Sequence, residues 1–187
     1  MFIYRRRKGN SMMEEVVHEM FSEKQVEERI AQLAEQLSME YEGKELHMIC
    51  ILKGSVFFFA ELAKRLTVPV TMDFMSASSY EDGTVSTGKL EIRKDLDEPI
   101  EGRHCLIVED IVDTGKTLSM VKKMLLARNP ASLKICALLD KPERREVEIE
   151  TEYIGFEVPD QFIVGYGLDY AQKYRNLPYI GVLEFKE

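Results

Sequence analysis

The sequence predicts an α/β protein with a central, mostly parallel sheet flanked by helices. Short apolar, β-rich runs (His47–Leu52, Cys105–Val108, Leu133–Leu139) alternate with stretches whose apolar residues recur at helical spacing. The first two runs lead through a tight Gly-containing turn directly into a helix, the pattern of crossover connections between parallel strands. At 187 residues and 45% hydrophobic composition, the chain suits one domain with a sizeable core. The net charge of −8 argues against a broad nucleic-acid or membrane footprint. No apolar run approaches the length of a membrane span. An anionic substrate is still allowed, because local donors and a metal can hold phosphates inside an acidic protein.

Residues 1–13 include Arg5-Arg6-Arg7-Lys8 without an apolar segment of signal-peptide length behind it. They read as a disordered arm or an upstream remnant ahead of a start at Met12 or Met13. Residues 14–187 read as a single domain. Ser22-Glu23-Lys24-Gln25 is a capping box, and Val26, Ile30, Leu33 and Leu37 make one apolar helical stripe. The strand His47–Leu52 leads into Lys53-Gly54-Ser55. There Ser55 is expected to cap a helix through Phe57–Arg65, giving a strand–turn–helix anion site. Pro69–Met75 is a third strand. The polar run that follows, with Gly83 and Gly88, is long for a connection and reads as a lid or a disordered segment. Lys89–Arg93 alternates as a half-buried strand does, and Asp95–Gly102 is an acidic turn.

Cys105–Leu118 is the central stretch. It begins as a buried strand and ends as a helix with Leu118, Val121 and Leu125 on one face. Between them lie Glu109, Asp110 and Asp113, then Thr114-Gly115-Lys116-Thr117. A helix N-terminus offers unpaired N–H groups and the positive end of its dipole. Gly115 lets backbone approach an anion, and Lys116 and the two Thr hydroxyls are further donors. Carboxylates repel phosphate, so Glu109 and Asp110 suit a vicinal diol or a bound Mg²⁺ instead. Two other phosphate motifs fail. A P-loop needs Gly where Asp110 stands, and the third Gly of a dinucleotide fingerprint starting at Gly165 would fall on Tyr170.

Asn129-Pro130 stops the helix, and Leu133–Leu139 is the next strand, ended by Lys141-Pro142. Glu143–Glu152 is charged and reads as solvated. Tyr153–Phe156 and Phe162–Gly165 are short strands flanking a Pro159-Asp160 turn, and the last strand is Tyr179–Phe185. Cys50, Cys105 and Cys136 lie in apolar runs with no metal or redox spacing. They read as reduced core thiols, which fits a cytoplasmic protein. His18, His47 and His104 are scattered and carry no assignment.

Val108-Glu109-Asp110-Ile111-Val112-Asp113-Thr114-Gly115-Lys116-Thr117 resembles the phosphoribosyl-pyrophosphate (PRPP) loop of type I phosphoribosyltransferases. Its Asp-Thr-Gly-Lys-Thr ending is similar to that of the family's hypoxanthine-guanine members. The likeness runs from about Ser22 to Phe185. It implies the family's fold, with a small hood subdomain built from the terminal segments. It also implies Mg²⁺-dependent transfer of the phosphoribosyl group from PRPP to N9 of a 6-oxopurine, giving IMP or GMP and pyrophosphate in purine salvage.

By the same resemblance, Asp113 to Thr117 hold the 5-phosphate and Asp113 is the general base. Glu109 and Asp110 face the ribose, directly or through metal, with Asp169 on the metal side. Lys53, Gly54 and Arg175 meet pyrophosphate, and the Leu52–Lys53 peptide is cis. Ser79-Tyr80 belongs to a closing loop. Lys141 donates to the purine 6-oxygen, Phe162 stacks on the base, and the backbone at Ile163 reads its edge. Relatives are homodimers or homotetramers. Asp140 departs from the pattern, because relatives can carry an apolar residue there. Two readings compete: a non-catalytic PRPP-binding regulator, and a transferase for xanthine or a pyrimidine. Asp113, Lys53, Arg175 and Ser79-Tyr80 together favour the enzyme. The Lys141 and Phe162 context argues against a pyrimidine, and hypoxanthine, guanine and xanthine stay unranked.

Overall fold

The structure is a computed structural model. It describes residues 2–8, 11–82 and 85–186, with side chains for residues 14–78 and 90–186. In chain order the elements are β1 (Phe2–Lys8), β2 (Ser11–Phe21), α1 (Glu23–Glu40), β3 (Leu46–Ile51), α2 (Val56–Arg65), β4 (Val70–Asp82), β5 (Val85–Lys94), β6 (His104–Val112), α3 (Lys116–Leu126), β7 (Ser132–Asp140), a 3-10 turn Pro142–Arg144, β8 (Tyr153–Glu157), β9 (Ile163–Val164) and β10 (Ile180–Lys186).

The larger sheet has six strands in the order β5-β4-β3-β6-β7-β8. Its β4-β3-β6-β7-β8 portion is parallel, and β5 is the antiparallel hairpin partner of β4. The smaller, antiparallel sheet, β1-β2-β10-β9, joins the two terminal segments as the expected hood.

Alternation along the buried strands divides the core between the sheet's two faces. Met48, Cys50, Leu106 and Val108 pack with the α1 and α2 side chains Ile30, Leu33, Phe58 and Leu62. Ile49, Cys105, Ile107 and Ile135 pack with Leu118, Val121 and Leu125 of α3. Helices therefore cover both faces. The three cysteines are free and buried. Burial pushes the thiols of Cys50 and Cys105 up to about 11, and raises that of Cys136 further.

The α1 capping box forms as predicted. Gln25 N–H donates to Ser22 Oγ at 3.3 Å, and Ser22 N–H donates to Gln25 Oε1 at 2.9 Å. Other expectations need correction. Ser55 does not cap α2; its backbone is helical (φ −74°, ψ −5°), and its hydroxyl turns back to donate to the Ile51 carbonyl. β4 does not stop at Met75. It runs on through Ser79 and Tyr80 to Asp82, paired with β5. The two short strands expected on either side of Pro159-Asp160 both form, in different sheets. β8 extends the parallel sheet beside β7, while β9 joins the hood beside β10.

Ser22→Ala removes one side of the capping box and is expected to cost about 1 kcal/mol. Urea denaturation should show a lower midpoint at an unchanged m-value.

Candidate active site

The parallel strands deliver their carboxyl ends to one rim of the sheet, and a cleft of about 400 Å³ opens there. Lys53 and Gly54, Glu109 and Asp110, Asp113 with Thr114, Gly115 and Thr117, and Asp169 with Arg175 all line it. These residues come from the β3–α2 turn, the end of β6, the β6–α3 turn and the segment before β10. The fold thus brings together residues that are far apart in the chain.

The β6–α3 turn is formed by Gly115, which stands at φ +82° as the residue capping α3. An added Cβ there would meet the Val147 carbonyl at 2.8 Å, so only glycine fits. Across the cleft the Leu52–Lys53 peptide is cis. Gly54 lies against the Asp110 carboxylate, and a Cβ at Gly54 would sit 1.6 Å from Asp110 Oδ2. The missing side chain is what lets this carboxylate and the Lys53 turn share a wall.

Glu109 and Asp110 form a coupled pair. Burial, reinforced by the Asp110 charge, pushes the Glu109 carboxyl well above the usual carboxylate range. Burial also raises Asp110, against hydrogen bonds from Glu109 and from the Ile111 N–H. The two carboxyls influence each other and so titrate as a pair. Glu109 Oε2 is buried without a partner, which suits a ligand or cation that completes it. Among the described residues no group of three acidic, His or Cys side chains stands ready to hold a metal. The pair therefore fits a hard cation completed by oxygens from elsewhere, as Mg²⁺ prefers.

Asp169 is held by Arg175 at 2.7 Å and by the Gln172 N–H at 2.8 Å, and Arg175 also donates to the Gly167 carbonyl at 2.7 Å. Asp113 Oδ1 lies 3.2 Å from Arg144 Nε.

Some predicted residues stand outside the cleft lining. Lys116 turns its ammonium to Glu146. Lys141 is buried and donates to the Gln161 carbonyl at 2.7 Å. Ile163 is buried in β9, while Phe162 is 49% exposed with its ring edge-on to Tyr170 at 5.4 Å. The Ser79 and Tyr80 side chains lie outside the described residues, although the neighbouring Ala77 and Ser78 line the cleft.

Sequence reasoning missed the segment behind the β6–α3 turn. Glu143–Glu152 was expected to be solvated, and Glu143, Arg144, Glu146, Glu148 and Glu150 are exposed. Arg145 is an exception: it is largely buried, pairs with Asp140 and donates to the Asp113 carbonyl at 2.8 Å. Asp140, the departure from the family pattern, is thereby satisfied. Its odd placement beside Lys141 was the available signal.

An acid whose native pKa stands above its unfolded value costs stability as pH rises from the unfolded value towards the native one. Glu109→Gln should therefore raise Tm at neutral pH in EDTA. The gain should fade as pH falls below 4.5, the ordinary Glu value. A lower Tm at neutral pH would show instead that the protein gains stability by ionising Glu109.

The phosphoribosyl transferase domain family model matches residues 17–171. The hypoxanthine phosphoribosyltransferase of Salmonella typhimurium is 50% identical over 171 residues, covering 90% of this chain and 96% of the relative. That of Buchnera aphidicola subsp. Schizaphis graminum is 49% identical over 177 residues, 94% of this chain and 100% of the relative. Among solved structures, a hypoxanthine phosphoribosyltransferase from Staphylococcus aureus superposes with a TM-score of 0.87 at 47% identity, covering 89% of this chain and 91% of that one. A hypoxanthine-guanine phosphoribosyltransferase from Bacillus anthracis, with HEPES in its active site, superposes with a TM-score of 0.85 at 45% identity, covering 92% and 99%. Matching motif, sheet and cleft together, this chain belongs to the phosphoribosyltransferase family and has its type I fold.

Proposed function

We propose that this protein works in purine salvage, transferring the 5-phosphoribosyl group of PRPP to N9 of hypoxanthine or guanine and releasing pyrophosphate. The observation that carries this reading is one cleft in which a helix-start turn, Asp113, Thr114, Gly115 and Thr117, lies beside the Glu109–Asp110 pair. That arrangement suits a sugar bearing a phosphate on one side and a diol on the other. The similar hypoxanthine phosphoribosyltransferases support the choice of base.

In this reading the backbone and hydroxyls of Thr114, Gly115 and Thr117 bind the 5-phosphate, and Lys116 adds charge from the rim. Glu109 and Asp110 orient the ribose hydroxyls. Lys53, Gly54 and Arg175 receive the pyrophosphate. Glu109, Asp110 and Asp169 are the residues that would hold Mg²⁺, which when bound offsets charge on the pyrophosphate oxygens. Asp113 takes the proton that the purine imidazole ring loses as its N9 bonds to C1 of the ribose. Lys141 has three N–H donors, and the Gln161 carbonyl uses one, leaving others for the purine 6-oxygen. An amine donor there disfavours adenine, whose 6-amino group also donates. Phe162 stacks on the base with Tyr170 behind it, and the Ile163 backbone reads the purine edge. The β4–β5 hairpin around Ser79 and Tyr80 would close over PRPP and exclude water. Residues 14–187 act as one domain, and the enzyme works in the cytoplasm as a homodimer or homotetramer.

The test is pyrophosphate release with PRPP and Mg²⁺, offering hypoxanthine, guanine, xanthine, adenine and uracil separately. Release with hypoxanthine or guanine is expected, and silence with all five while PRPP still binds would point to a regulator. Asp113→Asn should lose about 10²- to 10⁴-fold in turnover while retaining PRPP binding. Near-normal turnover would remove Asp113 as the base.

A further inference from the structure

We propose that Arg145, clamped by Asp140, is the positioning residue of the 5-phosphate cradle. This rests on the cradle role given above to Asp113–Thr117 and adds what makes the cradle competent. A trans peptide directs its C=O and the next N–H to opposite sides. For the turn to offer donors to an anion, the carbonyls of Asp113 and Thr114 must point away from the cleft. Three donors behind the turn hold them there. Arg145 Nη1 donates to the Asp113 carbonyl at 2.8 Å, and the N–H groups of Glu146 and Val147 donate to the Thr114 carbonyl at 3.0 and 3.1 Å. With both carbonyls pinned rearward, the N–H groups of Thr114 and Gly115 are turned to the cleft side. Neither has a partner among the described residues.

The arginine is itself fixed. Its other terminal nitrogen pairs with Asp140 Oδ1, and the two side chains are only 19% and 10% exposed. Its Cδ lies 3.3 Å from where a Gly115 Cβ would stand, so the guanidinium stem also backs the turn. Asp140 ends β7, pairs in register with Val112, and directly precedes Lys141. One ion pair thus ties the strand that carries the proposed purine-reading lysine to the turn that takes the phosphate. Arg145 touches no part of the substrate in this arrangement; it acts through the Asp113 carbonyl.

The measurement is calorimetric titration of wild type, Arg145→Gln and the double variant Asp140→Leu/Arg145→Met. Each is titrated with ribose 5-phosphate and separately with pyrophosphate plus Mg²⁺, with thermal melts alongside. Removing one member of a buried pair strands the other charge, so Arg145→Gln should also melt earlier; an apolar pair of similar volume relieves that defect. The expected result is a loss of about tenfold in ribose 5-phosphate affinity in Arg145→Gln. The loss should persist in the double variant after its Tm recovers, while pyrophosphate affinity holds throughout. Ribose 5-phosphate affinity that recovers together with Tm overturns the proposal, as do equal losses for both anions or unchanged affinities in Arg145→Gln. A wild type that binds pyrophosphate but no ribose 5-phosphate overturns the cradle and the brace together. Wild-type binding with unaltered variants overturns the brace alone.

Discussion

Between Val112 and Lys116 the chain must leave a buried parallel strand, line the cleft and begin a helix. Little backbone is available for all three, and the left-handed Gly115 makes the reversal possible. The space a side chain would need there is occupied by the Val147 carbonyl, so the segment after β7 must return behind the turn. Pro142 ends that strand and starts the 3-10 turn from which Arg144 and Arg145 reach Asp113. The same end of the sheet brings Gly54 against Asp110.

The elements that were legible in the sequence are those decided by residues close together in the chain. The α1 stripe and its capping box needed only helical spacing and Ser22 with Gln25. The strand–turn–helix passages at Lys53 and Gly115 could be read because an apolar run, a glycine and a helical stripe follow one another directly. Long-range pairing could not be read. Tyr153–Phe156 and Phe162–Gly165 have similar composition, and only their partners, β7 for one and β10 for the other, assign them to different sheets. Ser55 is a good cap by type, but the β3–α2 turn imposes helical φ and ψ, which turn its hydroxyl back to Ile51.

The site follows the same division. The cleft residues were legible because strand ends in a parallel sheet meet at one rim, so motifs at those ends converge. The residues behind them were not. Glu143–Glu152 is rich in charge, much as a solvated face is, and nothing local to it reveals that Gly115 will sit against Arg145 and Val147. Lys116 shows the converse case. Its type and place suggest a phosphate contact, yet its ammonium is engaged by Glu146 from that same hidden segment.

An acidic protein that takes a doubly anionic substrate poses an electrostatic problem, and the cleft answers it locally. Burial pushes the Glu109 carboxyl up towards its neutral form, Asp169 is matched by Arg175, and Asp113 by Arg144. An arriving phosphate therefore meets carboxylates that are already compensated. With a net charge of −8, the protein as a whole supplies no attraction at a distance. In the proposed reading affinity comes from short-range donors, above all the backbone N–H groups at the start of α3, whose dipoles carry no titratable charge. Hydrogen bonds of that kind weaken steeply when misaimed. A site that depends on direction more than on net charge therefore needs rigid backing for its turn, and the Asp140–Arg145 pair stands where that backing is required.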